Sequence, residues 1–200
     1  MFHPWGGGIR ELCERGFLCG TVSEEKAFRL CPAFIPMEEQ DALLEQTRRY
    51  FTNYGPASVR DAAYYFCTSQ AEIKKRLAQL PVEAAECEGQ RLFSLDSGRA
   101  PGQSLPGCLL LAGFDPLMLG YEKRANPFLP EDALRSVFTL SGIVRPAILL
   151  DGKIVGVWKR RGKAVELTWL IPLQSLQRNR IEEEALRIFG DSVSKLVWRD

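Results

Sequence analysis

Residues 142–171, GIVRPAILLDGKIVGVWKRRGKAVELTWLI, constrain the fold more than any other stretch of the chain. Two apolar, β-branched runs, Ile143 to Leu150 and Lys153 to Trp158, flank the dipeptide Asp151-Gly152. That dipeptide predicts a two-residue hairpin turn, because both central positions of such a turn need positive φ. The second run continues into Lys159, Arg160 and Arg161, turns at Gly162-Lys163, and returns as Ala164 to Ile171. The pattern predicts a three-stranded meander with a tight cationic tip. Arg145, Lys153, Lys159, Arg160, Arg161 and Lys163 supply the charge, and Asp151 is the acid set against them. A phosphate backbone suits such a tip, since Lys and Arg release condensed counterions on contact. A solvated hairpin end is the plainer reading.

The chain as a whole is close to neutral. Its formal net charge of +1 excludes a protein that is basic all over, so any contact with nucleic acid runs through local patches. With 200 residues, 46% of them hydrophobic, it can bury a full core in one domain or two small ones. No apolar run reaches the roughly 18 residues of a membrane span. The opening MFHPWGGG lacks a charged-then-apolar signal pattern. These features predict a cytoplasmic protein with no membrane partner. The six cysteines (Cys13, Cys19, Cys31, Cys67, Cys87, Cys108) form no C-x-x-C pair, and His3 is the only histidine. Neither a structural metal nor a cofactor is expected, and the thiols read as small apolar fillers.

The expected fold class is α+β, with one partial and one complete winged helix-turn-helix ahead of a small β-rich domain carrying the basic hairpin. Residues 1–35 read as the partial unit: a helix from Gly8 to Arg15, then strands Phe17 to Val22 and Ala27 to Cys31 about the turn 23–26. Residues 36–96 read as the complete one. Helices are expected over Met37 to Asn53, Val59 to Phe66 (Ser58 capping, with Asp61 in a capping box) and Gln70 to Leu80, followed by strands Val82 to Cys87 and Arg91 to Leu95. Residues 97–107 read as a linker. Residues 108–200 read as the β-rich domain, with a strand Cys108 to Ala112, a short helix Pro130 to Phe138, the meander, a helix Gln174 to Phe189 with Leu176, Ile181, Leu186 and Ile188 or Phe189 inward, and a last strand Val193 to Trp198.

The candidate DNA-binding residues are Gln70, Lys74 and Lys75 on the third helix of the complete unit, with Arg145, Lys159, Arg160, Arg161 and Lys163 on the meander. Gln reads adenine bidentately, and Lys reads guanine or neutralises phosphate; the alternative for the Lys pair is a solvated helix face. Asp115, between Phe114 and Pro116, reads as a structural turn residue bonding its own backbone. Trp158 and Trp169 read as core rather than base-stacking groups. Of Tyr64, Tyr65 and Phe66, at least one is expected at the periphery, with core the default for the others. Arg48 and Arg49 read as surface charges.

Several motifs occur together: FDP at 114–116, GY-x-x-R at 120–124, RP-x-x-L-x-DG at 145–152 and VG-x-W at 155–158. With them stand RRYFTNYGPASVRDAAYYFCTSQAEIKKRLAQL (48–80) and IRELCERGFLCG (9–20). In these residues the chain resembles the AlkZ-like winged-helix family, which includes bacterial DNA glycosylases that excise alkylated bases and unhook interstrand crosslinks. The resemblance covers nearly the whole chain and corresponds to the C-terminal portion of the family. It implies a duplex DNA partner and a place in DNA repair. The family's catalytic Gln-x-Gln or Gln-x-Asp pair is implied to lie further N-terminal, and no such pair sits here on a strand; Gln174 and Gln177 are three apart on a helix. No catalytic residue carries over. Three functions stay open: DNA binding without base chemistry, a DNA glycosylase if an N-terminal part is supplied, and a protein-interaction module without nucleic acid.

Overall fold

The computed structural model describes residues 7–22, 27–96 and 106–199. His3, the turn at 23–26 and most of the expected linker lie outside the described residues. The chain forms two compact units, 1–41 and 42–200.

In the first unit, helix α1 (Gly7–Glu14) precedes an antiparallel hairpin of β1 (Leu18–Gly20) and β2 (Phe28–Leu30). Leu18 lies opposite Leu30 and Cys19 opposite Arg29. The ladder runs on past the strands, with Cys31 N donating to Phe17 O at 2.9 Å.

The second unit opens with three helices, α2 (Glu39–Asn53), α3 (Val59–Tyr65) and α4 (Gln70–Leu77), and the hairpin β3 (Glu83–Cys87) and β4 (Gln90–Ser94). Helix α2 starts two residues later than expected; Glu39 and Asp41 in its first turn suit the positive end of the helix dipole. Tyr50, Phe51, Ala62, Ile73 and Leu77 form the core, joined by Tyr121 from a distant segment. Tyr64 and Tyr65 are both half-exposed, but the Tyr65 ring lies against buried Tyr50 with centroids 5.0 Å apart and Phe66 packs partly into this core, leaving Tyr64 at the periphery. Arg48 and Arg49 both pair with Glu45 at the surface, at 2.6 and 2.7 Å.

The rest is one five-stranded sheet in sequence order: β5 (Cys108–Leu111), β6 (Ala147–Leu150), β7 (Lys153–Arg161), β8 (Ala164–Trp169) and β9 (Lys195–Arg199). The first four strands pair antiparallel; β9 joins β8 in parallel, which requires the intervening crossover helix α7 (Ser175–Phe189). Both faces of the sheet are covered, which explains the unbroken apolar run of β6. Ile148 and Leu150 pack with Leu167 and Ile181 of α7 on one face. Ala147 and Leu149 pack on the other, with Met118 and with Val137 of α6 (Leu134–Val137).

Asp151 and Gly152 have φ of 49° and 79°, as the turn between β6 and β7 demands. Beside the bulge that leaves Val155 of β7 unpaired opposite Ile148 and Leu149, Gly156 is needed for close approach: a Cβ there would stand 2.6 Å from the Thr168 carbonyl oxygen.

Several elements differ from expectation. Strand β6 begins at Ala147 instead of Ile143, since Pro146 has no N–H for the ladder. Strand β7 continues to Arg161, so the cationic residues lie on the strand itself. A short helix, α5 (Pro116–Leu119), follows Asp115 where only a turn was expected. On α7, Leu176 and Leu186 are exposed; the buried stripe runs through Ile181, Glu184 and Ala185. The cysteines are not uniformly fillers. Only Cys108 is buried, Cys13, Cys19 and Cys31 are half-buried, and Cys67 and Cys87 are exposed. No described helix is long and apolar enough to cross a membrane.

Candidate nucleic-acid interface

Helix α4 is set by its ends and its apolar side. Ser69 caps it, its hydroxyl accepting from Glu72 N at 3.2 Å, while Ile73 and Leu77 are buried beneath. Those anchors leave Lys74 and Lys75 exposed and Arg76 half-buried in the last turn, where the helix dipole favours cations. None of the three forms an ion pair with an acid among the described residues.

A groove of about 720 Å³ lies between this helix, the start of α3 and the β3–β4 hairpin. Val59, Leu77, Val82 and Phe93 give it an apolar floor. Its polar groups are Arg60, Gln70, Lys74, Gln90 and Arg91, and no acid lines it among the described residues. The Arg91 guanidinium stands over the Phe93 ring, 5.4 Å from its centroid. The structure thus brings Gln70 and Lys74 into one site, and adds Arg60, Gln90 and Arg91, which the sequence reading missed. Lys75 is on the exposed side of α4, outside the groove lining.

A buried polar network fixes the groove from below. Ser58 and Asp61 form a reciprocal capping box on α3. The other Asp61 oxygen accepts from Glu122 N at 3.0 Å, and Glu122 in turn pairs with Arg60 at 3.1 Å. Beside it, the Tyr50 hydroxyl donates to Gly120 O at 2.7 Å and the Tyr121 hydroxyl to Tyr54 O at 2.8 Å. The GY-x-x-R motif therefore docks its Gly and Tyr against the helical core. Burial pushes the Tyr50 and Tyr121 phenols up from the ordinary tyrosine value, keeping both neutral donors. Asp115 caps α5, accepting from Leu117 N at 2.9 Å.

The hairpin at β7–β8 is built differently. Gly162, with φ of 58°, opens its two-residue turn, and counting outward pairs Arg161 with Ala164 and Lys159 with Glu166. Glu166 is buried and receives Lys159 at 2.9 Å, Arg199 at 3.1 Å and Arg161 at 3.6 Å. The Lys159 and Arg199 cations hold its carboxyl down at about 2. Asp151, the acid assigned to these bases from the sequence, instead forms a two-pronged pair with Arg180, at 2.7 and 2.8 Å. Arg160 points to the opposite face, donating to Gly162 O and Ser192 O, each at 3.0 Å, with its guanidinium above Phe189. Lys163 sits in the turn with its side chain exposed. Arg145 and Lys159 meet in a second pocket of about 370 Å³, lined also by Trp158, Thr168 and Glu166.

Trp158 is half-buried and donates to Leu111 O at 2.8 Å, and Trp169 lies under Arg178, 4.2 Å from its centroid. Gln174 and Gln177 are engaged in the N-terminal capping box of α7.

The signal for Glu166 was present in the sequence. A two-residue turn at Gly162-Lys163 fixes the register and sets residue 166 opposite 159. The groove had no such signal, because it joins the first turn of α3 to β4 across more than thirty residues.

Comparison with known proteins agrees with this architecture. Residues 12–189 match the family described as DNA glycosylase AlkZ-like, so the match is not confined to the C-terminal part of the chain. The chain is 27% identical over 212 aligned positions to the interstrand DNA cross-link repair glycosylase of Streptomyces sahachiroi; the alignment covers 98% of this chain and 57% of that protein. The fold is similar to the solved structure of Streptomyces sahachiroi DNA glycosylase AlkZ, with a TM-score of 0.76 at 24% identity, again over 98% of this chain and 57% of the other. The chain thus spans a little over half the length of the relative it matches. With a family match through most of its length, this chain belongs to the AlkZ-like DNA glycosylase family.

Proposed function

We propose that this chain binds duplex DNA, mainly through phosphate contacts, and provides no base-excising group of its own. The observation that carries this reading is the end of α4. Lys74, Lys75 and Arg76 stand unpaired beside a groove whose charged lining is wholly cationic among the described residues. In this reading residues 36–96 are a winged helix with α4 as its recognition helix and β3–β4 as its wing. Residues 1–35 are the end of a preceding one, 97–107 a linker, and 108–200 a β-rich domain that adds Arg145, Lys159, Arg160, Arg161 and Lys163 to the interface. The protein works in the cytoplasm, in DNA repair.

About three to six phosphate contacts give a log–log salt slope of about −3 to −5. Fluorescence anisotropy on a labelled duplex across a salt series measures it. No binding at low salt would overturn the DNA reading and favour a protein partner.

A second reading is favoured by family membership and by the name of the Streptomyces sahachiroi relative: a DNA glycosylase in base-excision or crosslink repair. Excision needs a positioned water and stabilisation of charge developing on the sugar. Incubating the chain with N7-alkylated duplex and assaying abasic sites separates the two. Turnover by the chain alone would establish the second.

A further inference from the structure

The first compact unit carries an arrangement that DNA binding does not use. Cys19 on β1 lies directly opposite Arg29 on β2, and Arg29 Nε donates to the Cys19 sulfur at 3.4 Å. Cys31 lies two residues beyond Arg29 and opposite Phe17, so its side chain emerges on the same face of the hairpin, diagonal to Cys19. Both thiols are half-buried and free.

We propose that Cys19 is a thiol-modification site that exchanges with small-molecule disulfides, with Cys31 as its resolving thiol. The titratable and charged groups facing the pair, among the described residues, are Arg29 and, from α1, Cys13 near Cys31. The Arg29 hydrogen bond holds the Cys19 thiol below its ordinary value, which enriches the nucleophilic thiolate. Burial and the neighbouring Cys19 push Cys31 up, so it stays protonated while Cys19 attacks.

The exchange balances without any further reagent. The Cys19 thiolate attacks one sulfur of the external disulfide; a new S–S bond forms, the old one breaks, and the departing thiolate takes a proton from water. The Cys31 thiol then loses its proton and attacks the Cys19 sulfur, displacing the second small thiol. The external disulfide is reduced to two thiols, and Cys19 and Cys31 are oxidised to one disulfide. A diagonal pair stands about 7–8 Å apart, beyond the Cα separation a disulfide ordinarily spans, so closing this one shifts the hairpin backbone and a mild reductant reopens it.

The test is incubation of the full chain with oxidised glutathione, an acid quench at timed intervals, and peptide mass spectrometry of all cysteines. Cys67 and Cys87 are the internal controls, because both are more exposed than Cys19. The expected result is that Cys19 reacts first and the wild type ends with a Cys19–Cys31 disulfide. Cys31→Ser should stop at a glutathione adduct on Cys19, and Cys19→Ser should leave Cys31 unmodified on the same timescale. Arg29→Gln should slow the exchange about three- to tenfold, with Arg29→Lys restoring most of the rate. Faster reaction at Cys67 or Cys87, an unaltered rate in Arg29→Gln, or a disulfide joining Cys13 instead would each overturn the proposal.

Discussion

Helix α4 and the β7–β8 hairpin both present runs of adjacent cations, Lys74-Lys75-Arg76 and Lys159-Arg160-Arg161. On the helix Lys74 and Lys75 are exposed and Arg76 half-buried, with no acid paired to any of them among the described residues. On the hairpin, Lys159 and Arg161 share the buried Glu166 with Arg199, and Arg160 is held by two carbonyls and an aromatic ring. A cation already bound to an internal partner must be detached before it neutralises a phosphate, whereas a free one only displaces its own counterions. Charge density in a sequence therefore does not measure charge available to DNA. The neighbours that folding brings to each side chain decide it.

The sharpest way to break this comparison is replacement of Lys74, Lys75 and Arg76 together by alanine. Duplex affinity should fall at least about tenfold at low salt, and the salt slope should flatten by about 2 to 3 units. Anisotropy titrations check it, and an unchanged slope would return the interface to the hairpin. A smaller effect, in the opposite direction, is expected of Glu166→Gln. It releases Lys159 and Arg161, so the slope should steepen by about 1 unit with modestly tighter binding. If binding weakens in a folded Glu166→Gln protein, Glu166 is orienting those cations towards DNA instead of withholding them.

Acidification probes the same carboxylate without mutation. Glu166 is depressed to about 2 in the folded chain, below its ordinary value of 4.5. Its contribution to stability is therefore fully present above 4.5 and is lost as pH falls through about 2. Denaturation midpoints of wild type and Glu166→Gln should differ at neutral pH and converge towards pH 2. A gap that stays constant would mean that the ion pairs contribute nothing. The smallest effect is assigned to Gln70→Ala, which should leave affinity for random-sequence duplex within about twofold, because a base-reading group adds little where no particular base is offered. A large loss would make Gln70 a backbone contact.

Local patterns carried much of the fold. The hairpin turn at Asp151-Gly152, the capping box of Ser58 and Asp61, and the helix opened by Gln70 are all fixed by residues within four positions of one another. What the sequence left hidden depends on long-range pairing. Strand β9 reaches β8 only after the α7 crossover, and the two-faced burial of β6 becomes visible once helices cover both sides. The inward face of α7 was misread because Leu176 and Leu186 are apolar yet exposed, while Glu184 is buried with Arg187 paired to it at 2.6 Å. At the candidate site, Gln70 and Lys74 were legible from their place on one helix. Arg60 and Arg91 were not, since only tertiary packing brings them to the same groove.

The contact between the helical core and the segment after α5 has a consequence for how the second unit survives damage to its backbone. Tyr50 and Tyr121 donate to carbonyls on either side of this seam, Asp61 accepts from Glu122 across it, and the Tyr121 ring is buried among the helix aromatics. A buried side chain of that size contributes about 2 to 3 kcal/mol and each hydrogen bond about 1. A protease nick between residues 97 and 105 would sever the covalent link while leaving the seam intact. The two pieces should co-elute as a non-covalent complex, so helix α4 and the sheet travel together without an unbroken chain.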